Sequence, residues 1–159
     1  MKKVIIPFAL FLVALPVLVA FSSGSFFSFS KQCNSKANEG IQFENDNWDN
    51  TLAKAKKENK LVFLDGYTSW CGPCRMLKET TFKDESVAEF FNKNFINTTI
   101  DLEKGEGPAL SKKYNVTGYP TLLVLDANGE VVAESKGYLS AKQLIKFGNY
   151  ALSLKKKSS

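Results

Sequence analysis

The sequence predicts an α/β domain, and three observations carry the prediction. Short apolar runs rich in strand formers, of which Leu61-Val62-Phe63-Leu64 is the plainest, alternate with stretches whose apolar residues recur at helical spacing. The alternation has an order, a β-α-β half followed by a β-β-α half. Two cysteines separated by two residues, Cys71 and Cys74, lie where the first of those strands hands over to a helix.

The chain has 159 residues, room for one such domain and some extra. Its start reads as a targeting segment: Met1-Lys2-Lys3 supplies positive charge, Val4 to Phe21 carries none, and small residues follow at Ala20, Ser22, Ser23, Gly24 and Ser25. Residues 1–22 are therefore a signal peptide cleaved near 22–25, or an uncleaved membrane anchor, since an apolar run of 18 residues is at the lower edge of what spans a bilayer. Either way the domain is expected in the periplasm or otherwise exported, soluble or tethered by residues 4–21. Residues 23–42, rich in Ser, Asn, Lys and Gly, read as a flexible linker. Within it, Cys33 is a free thiol or forms an intermolecular disulfide, because an odd cysteine in an exported protein has no internal partner to spare.

The domain itself is placed at 43–154. Asn45-Asp46-Asn47 offers caps for a helix through Lys57, with Trp48, Leu52 and Ala55 on one face. A strand over 61–67 and the cysteine helix follow. Asp84 caps a further helix that buries Val87, Phe90 and Phe91, and Phe95 to Asp101 is the next strand. A loop with Gly105, Gly107 and Pro108 leads to a short helix ending near Tyr114. Thr121 to Leu125 and Glu130 to Ala133 are strands joined through Asp126-Ala127-Asn128-Gly129, where Asn-Gly is a strong hairpin signal. Ser140 caps a last helix carrying Leu144, Phe147 and Ala151, and 155–159 is a solvated basic tail.

Composition removes several classes of function. The formal charge is +5, falling to +3 if the first 22 residues with their two lysines are lost, which is too mild to imply nucleic acid. Three cysteines and no histidine cannot furnish the four ligands of a closed zinc site, so no metal is expected. What remains for Trp70-Cys71-Gly72-Pro73-Cys74 is redox chemistry. Two thiols within one helical turn can close into a disulfide, and so short a loop does little as a structural staple. Unpaired backbone N–H groups and the positive end of the helix dipole stabilise a thiolate at Cys71, which is the expected nucleophile and the solvent-accessible thiol. Cys74, one turn in, is expected to be the more buried partner that resolves the mixed disulfide. Pro73 suits a first helical turn, where its missing N–H would be unpaired anyway.

Asp65, Trp70 to Cys74, Gly118-Tyr119-Pro120-Thr121, Asn128-Gly129-Glu130 and Gly137 together resemble the thioredoxin superfamily, over about residues 43 to 152. Thr80-Thr81-Phe82-Lys83-Asp84-Glu85-Ser86-Val87 adds a segment after the cysteine helix that resembles the exported branch containing the C-terminal periplasmic domain of the DsbD reductase family. The resemblance implies a thioredoxin fold, a central mixed β-sheet flanked by helices. It makes Pro120 the cis proline that faces the disulfide, with Tyr119 beside it to pair with an extended substrate segment. Trp70, Gly72, Pro73, Gly118, Tyr119 and Pro120 are then the substrate-binding surface. Asp65, six residues before Cys71, takes the position of the buried acid that handles the proton of the second cysteine. With Cys71 and Cys74 it completes the catalytic set.

Two positions depart from the thioredoxin pattern. Asn97 stands where a lysine of the central strand pairs with the buried acid, so Asp65 is expected to be harder to ionise. Glu79 replaces a kinking proline, so the cysteine helix is expected to run straighter. The function implied is a thiol–disulfide oxidoreductase that mainly reduces protein disulfides, because strongly oxidising relatives place a histidine between the cysteines and this chain has Gly-Pro. It needs no cofactor beyond the Cys71–Cys74 pair. Its partners are disulfide-bearing exported proteins and a membrane-embedded electron donor, since a reductant in an oxidising compartment must be supplied with electrons. The rival readings are a disulfide oxidase or isomerase, and a thioredoxin-fold binding module that uses the groove without chemistry.

Overall fold

The computed structural model describes residues 40–158, with side chains up to Lys155. The expected leader or anchor at 1–22, residues 23–39 of the expected linker (23–42) with Cys33, and Ser159 lie outside the described residues. Helix α1 (Trp48–Glu58) starts at Asn47, whose side chain accepts from the Asn50 N–H, and ends at Asn59 in the left-handed region. The strand β1 (Leu61–Tyr67) leads to α2 (Gly72–Glu79), a 3-10 turn (Thr81–Lys83) and α3 (Glu85–Asn94). Next come β2 (Phe95–Asp101), α4 (Gly107–Lys113), β3 (Thr121–Leu125), β4 (Val131–Lys136) and α5 (Ala141–Ser158).

The four strands form one mixed sheet in the order β2-β1-β3-β4. β1 runs parallel to β2 with Asp65 opposite Thr99, and antiparallel to β3 with Gly66 opposite Thr121. β3 and β4 pair antiparallel, with an irregularity between Val124 and Leu125. As expected of a strand flanked by strands and covered on both faces, β1 is buried almost throughout, which is why its sequence is an unbroken apolar run.

Side chains alternate across that sheet and divide the core in two. On one face Leu61, Phe63, Leu122 and Val124 meet Leu77 of α2, Val87 and Phe91 of α3, and Leu144 and Ala151 of α5. Phe63, Phe91 and Phe95 are at the centre, with ring centroids 4.7 and 4.9 Å apart. On the other face Val62, Leu64, Ile96, Leu123 and Leu125 meet Trp48 and Ala55 of α1 and Leu110 of α4. Counting along β1, Asp65 follows Leu61 and Phe63. It therefore falls on the face that α2 covers.

Several boundaries differ from the sequence-based expectation. The domain begins before Phe43: Ile41 is buried in the core, its N–H donates to Phe82 O, and Glu44 makes a parallel bridge to Thr98 on the outer side of β2. An apolar residue between Gly40 and Gln42 is hidden in a polar stretch, so composition reads the whole as linker. β4 runs to Lys136 rather than Ala133, and α5 continues through 155–158, where a tail was expected. The side chain of Lys155 bonds to Asn59 O and, at 3.1 Å, to Asn59 Oδ1, which ties the end of α5 to the end of α1.

Candidate active site

β1 ends at Tyr67, and the chain turns through Thr68, Ser69 and the exposed Trp70 into α2. Cys71 is the N-cap of that helix, and its sulfur accepts the Cys74 backbone N–H at 3.1 Å. The two cysteines are joined by a disulfide, with S–S 2.03 Å and Cα–Cα 5.3 Å. A thiolate at Cys71 would take the place of that acceptor sulfur, facing N–H groups that the helix leaves unpaired.

One expectation needs correcting here. Cys71 is only 4% exposed and Cys74 2%, so accessibility hardly separates them in the disulfide form. What does separate them is the helix terminus: only Cys71 has its sulfur on the capping side. α2 also ends soon after Glu79, with the Thr80 N–H and hydroxyl both donating to Met76 O, and the chain continues as the 3-10 turn. With Thr80 stopping the helix there, a kinking proline would have no following turn to bend.

Asp65 is fully buried. Its Oδ2 accepts from Thr99 Oγ1 at 2.9 Å, while Oδ1 has no hydrogen-bond partner among the described residues. Burial pushes its carboxyl up from the ordinary 3.8 to about 6, against the opposing pull of Lys78 and the Thr99 hydroxyl. The raised value agrees with the expectation that Asp65 is hard to ionise, but the acid does have a cation nearby. Lys78 Nζ lies 4.0 Å from Asp65 Oδ2 and 3.0 Å from the centroid of the Tyr67 ring. Asn97 is on β2 as expected but looks elsewhere, its amide donating to Asn92 Oδ1 at 3.2 Å and, at 3.4 Å, to Gln42 O.

The lysine comes from α2 rather than from the central strand. Helical spacing was the signal that could have found it: Lys78 is four residues after Cys74 and so shares its face. From there its ammonium reaches Asp65. Burial lowers the Lys78 pKa, while Asp65 and Asp101 act to raise it.

The loop 118–120 closes the site from the other side. The Tyr119–Pro120 peptide is cis, and Pro120 is buried. Gly118 O accepts from the Thr121 hydroxyl at 2.7 Å, and Pro120 O accepts the Gly137 N–H at 2.8 Å. The Tyr119 ring meets Trp70 edge to face with centroids 5.8 Å apart, which brings this loop against the residue preceding Cys71. Trp70 is 65% exposed and its indole N–H donates to Glu103 Oε2 at 3.0 Å. Glu103, in the loop after β2, was not foreseen, since nothing local in the sequence points to it. Gly72 and Pro73 are exposed on the first turn of α2. A Cβ added at Gly72 or Gly118 would meet nothing within 4 Å. Both glycines thus border space that the fold itself does not fill.

A family model described as a thioredoxin-like domain matches residues 48–152. The chain belongs to the thioredoxin-like family. Among solved structures, this thioredoxin-like chain is similar to a putative disulphide-isomerase from Bacteroides thetaiotaomicron, at 44% identity over 72% of this chain and 94% of that one, with a TM-score of 0.65. It also shares the fold of the Neisseria meningitidis DsbD C-terminal domain in its oxidised form, at 23% identity, over 69% of this chain and 97% of that one, with a TM-score of 0.56. Among curated proteins it is 31% identical over 94 residues to the thiol:disulfide interchange protein DsbD of Tatumella citrea, a match that covers 57% of this chain and 16% of that protein. The chain thus spans about one sixth of the length of the curated relatives it matches. A thioredoxin-like fold with its paired cysteines in disulfide contact at a helix N-terminus is the arrangement of a thiol–disulfide oxidoreductase.

Proposed function

We propose that this protein is an exported oxidoreductase that reduces disulfides of other exported proteins. The observation that carries the reading is the Cys71–Cys74 bridge with the Cys71 sulfur on the N-terminal N–H groups of α2. In the reduced protein the Cys71 thiolate attacks one sulfur of a substrate disulfide, forms a mixed disulfide and expels the first substrate thiolate. Cys74 gives its proton to Asp65 and attacks the Cys71 sulfur. The Cys71–substrate bond breaks, the internal disulfide closes, and the second substrate thiol leaves. Two electrons pass from the cysteine pair to the substrate, and a membrane-embedded donor of electron pairs restores the dithiol.

The exposed Trp70, Gly72 and Pro73, with the Tyr119 ring against Trp70 and Pro120 next to it, support docking of an extended segment at this surface. Gly-Pro between the cysteines and the absence of histidine support the reducing direction. The apolar segment 4–21 behind Lys2 and Lys3 supports export. No cofactor beyond the cysteine pair enters this chemistry.

Two measurements test the proposal. Equilibration against a glutathione buffer is expected to give a potential nearer thioredoxin's, about −270 mV, than DsbA's, about −120 mV. A value at the DsbA end would make the protein an oxidase. The Cys74→Ser variant is expected to accumulate mixed disulfides with exported proteins through Cys71. If the Cys71→Ser, Cys74→Ser double variant kept full function in cells, the protein would be a binding module instead.

A further inference from the structure

The segment 40–43, which lengthens the domain at its start, also builds a pocket. Ile41 and Phe43 line an open pocket of about 240 Å³ together with Phe82, Lys78, Lys83 and Thr99. Its walls are already in place. The Ile41 N–H donates to Phe82 O at 2.7 Å, and a Cβ at Gly40 would run into that same carbonyl, so the chain lies flush against the 3-10 turn. Phe43 packs on Phe82 with ring centroids 5.2 Å apart. The Thr99 hydroxyl donates to Asp65 Oδ2 at 2.9 Å, and Lys78 Nζ is placed by Asp65 at 4.0 Å and by the Tyr67 ring at 3.0 Å. Walls fixed in this way lose little further freedom when the pocket fills.

The lining selects a ligand by its chemistry. Three apolar side chains favour an apolar body. A cavity of about 150 Å³ accepts benzene, so this pocket has room for a ring and a short arm. The Thr99 hydroxyl has given its one proton to Asp65, which leaves the two ammonium groups as the side-chain donors of the lining. Lys78 shares its charge with Asp65, whereas Lys83 has no acidic oxygen within 4.0 Å among the described residues. The other acids nearby are engaged. Asp101 acts on Lys78 but pairs with Lys104 at 2.9 Å, and Asp84, next to Lys83, accepts from Ser86 and Val87 at the start of α3. Two ammonium groups against one buried carboxylate leave one positive charge unmatched. We propose that this pocket binds a small monocarboxylate whose apolar body is the size of a phenyl ring, with the ring against Ile41, Phe43 and Phe82 and the carboxylate toward Lys83. The site stands apart from the cysteine chemistry and is complete with the disulfide closed.

The test is a titration of hydrocinnamate into the oxidised full chain, followed by the amide and aromatic NMR signals. Saturable shifts are expected at Ile41, Phe43, Phe82 and Lys83, with half-saturation at about 1 mM or below and little change at Trp70 and Tyr119. Hydrocinnamyl alcohol, which keeps the ring and lacks the charge, is expected to bind about fivefold more weakly or worse. Lys83→Glu, at an exposed position, should lower the affinity for the acid by about fivefold or more and leave that for the alcohol within about twofold. Phe43→Ala should lower both by about tenfold. Where Phe43→Ala lowers the denaturation midpoint, the two titrations of Lys83→Glu decide alone. The proposal is overturned by any of four results: no saturation by about 10 mM hydrocinnamate, shifts centred on Trp70 and Tyr119, an alcohol that binds as well as the acid, or a Lys83→Glu variant that binds the acid as tightly as wild type.

Discussion

Asp65 carries a cost in the folded chain that depends on pH, and the direction follows from its raised pKa. The group titrates near 3.8 when exposed and at about 6 in the fold. Below about pH 4 it is neutral in both states and costs nothing. As pH rises from about 4 to about 6 the unfolded chain releases this proton before the folded one does, so stability falls, and above about 6 the loss is constant. Asp65→Asn is therefore expected to stabilise the domain at pH 7 by about 2–3 kcal/mol, with the gain fading as pH falls to 4. Denaturant titrations of both proteins across that range check it. A less stable variant at pH 7 would mean that the pair with Lys78 outweighs burial. The resemblance to thioredoxins made the acid legible in the sequence, but not its cation, because Lys78 comes from α2 and not from the strand position the resemblance points to.

At the scale of elements, the caps were the readable part. Asn47 and Asp84 both bond to backbone N–H groups of the helices they precede, at 2.9 and 3.1 Å. Ser140 works differently from a simple cap: its N–H and its hydroxyl both donate to Oε1 of Gln143, the third helical residue, so the bonds run from the serine to the glutamine. Asp84→Ala should cost about 1 kcal/mol by thermal or chemical denaturation, without changing the rate at which Cys71 is alkylated. A change in that rate would show that α3 and the 3-10 turn transmit strain to α2. Element ends were less legible. β4 continues through Glu134-Ser135-Lys136, which is polar because one side of that edge strand faces solvent, and alternating polarity there looks like loop. α5 outlasts its apolar stripe: the helix continues through the lysines after Leu154, whose charge makes the sequence there look like a tail.

At the scale of the molecule, the segment before α1 closes one end of the core. Ile41 is buried among the α2–α3 side chains, and Phe43 packs on Phe82 with ring centroids 5.2 Å apart. Ile41→Ala is expected to cost about 2–4 kcal/mol in denaturation, far more than a linker residue would. A cost under about 0.5 kcal/mol would return 40–42 to the linker. The same segment has a second effect. In a sheet of order β2-β1-β3-β4, the two outer strands offer unpaired backbone groups to any other chain. On β4 the outward side carries Glu134 and Lys136, 3.3 Å apart, which discourage pairing by charge. β2 has few charges, and there Glu44 occupies the rim, its N–H donating to Asn97 O at 2.8 Å beside the bridge to Thr98. Those few residues thus cover backbone groups of β2 that another copy would otherwise find unpaired. Loss of this strap would show first as self-association at high concentration, while the cysteines still react normally.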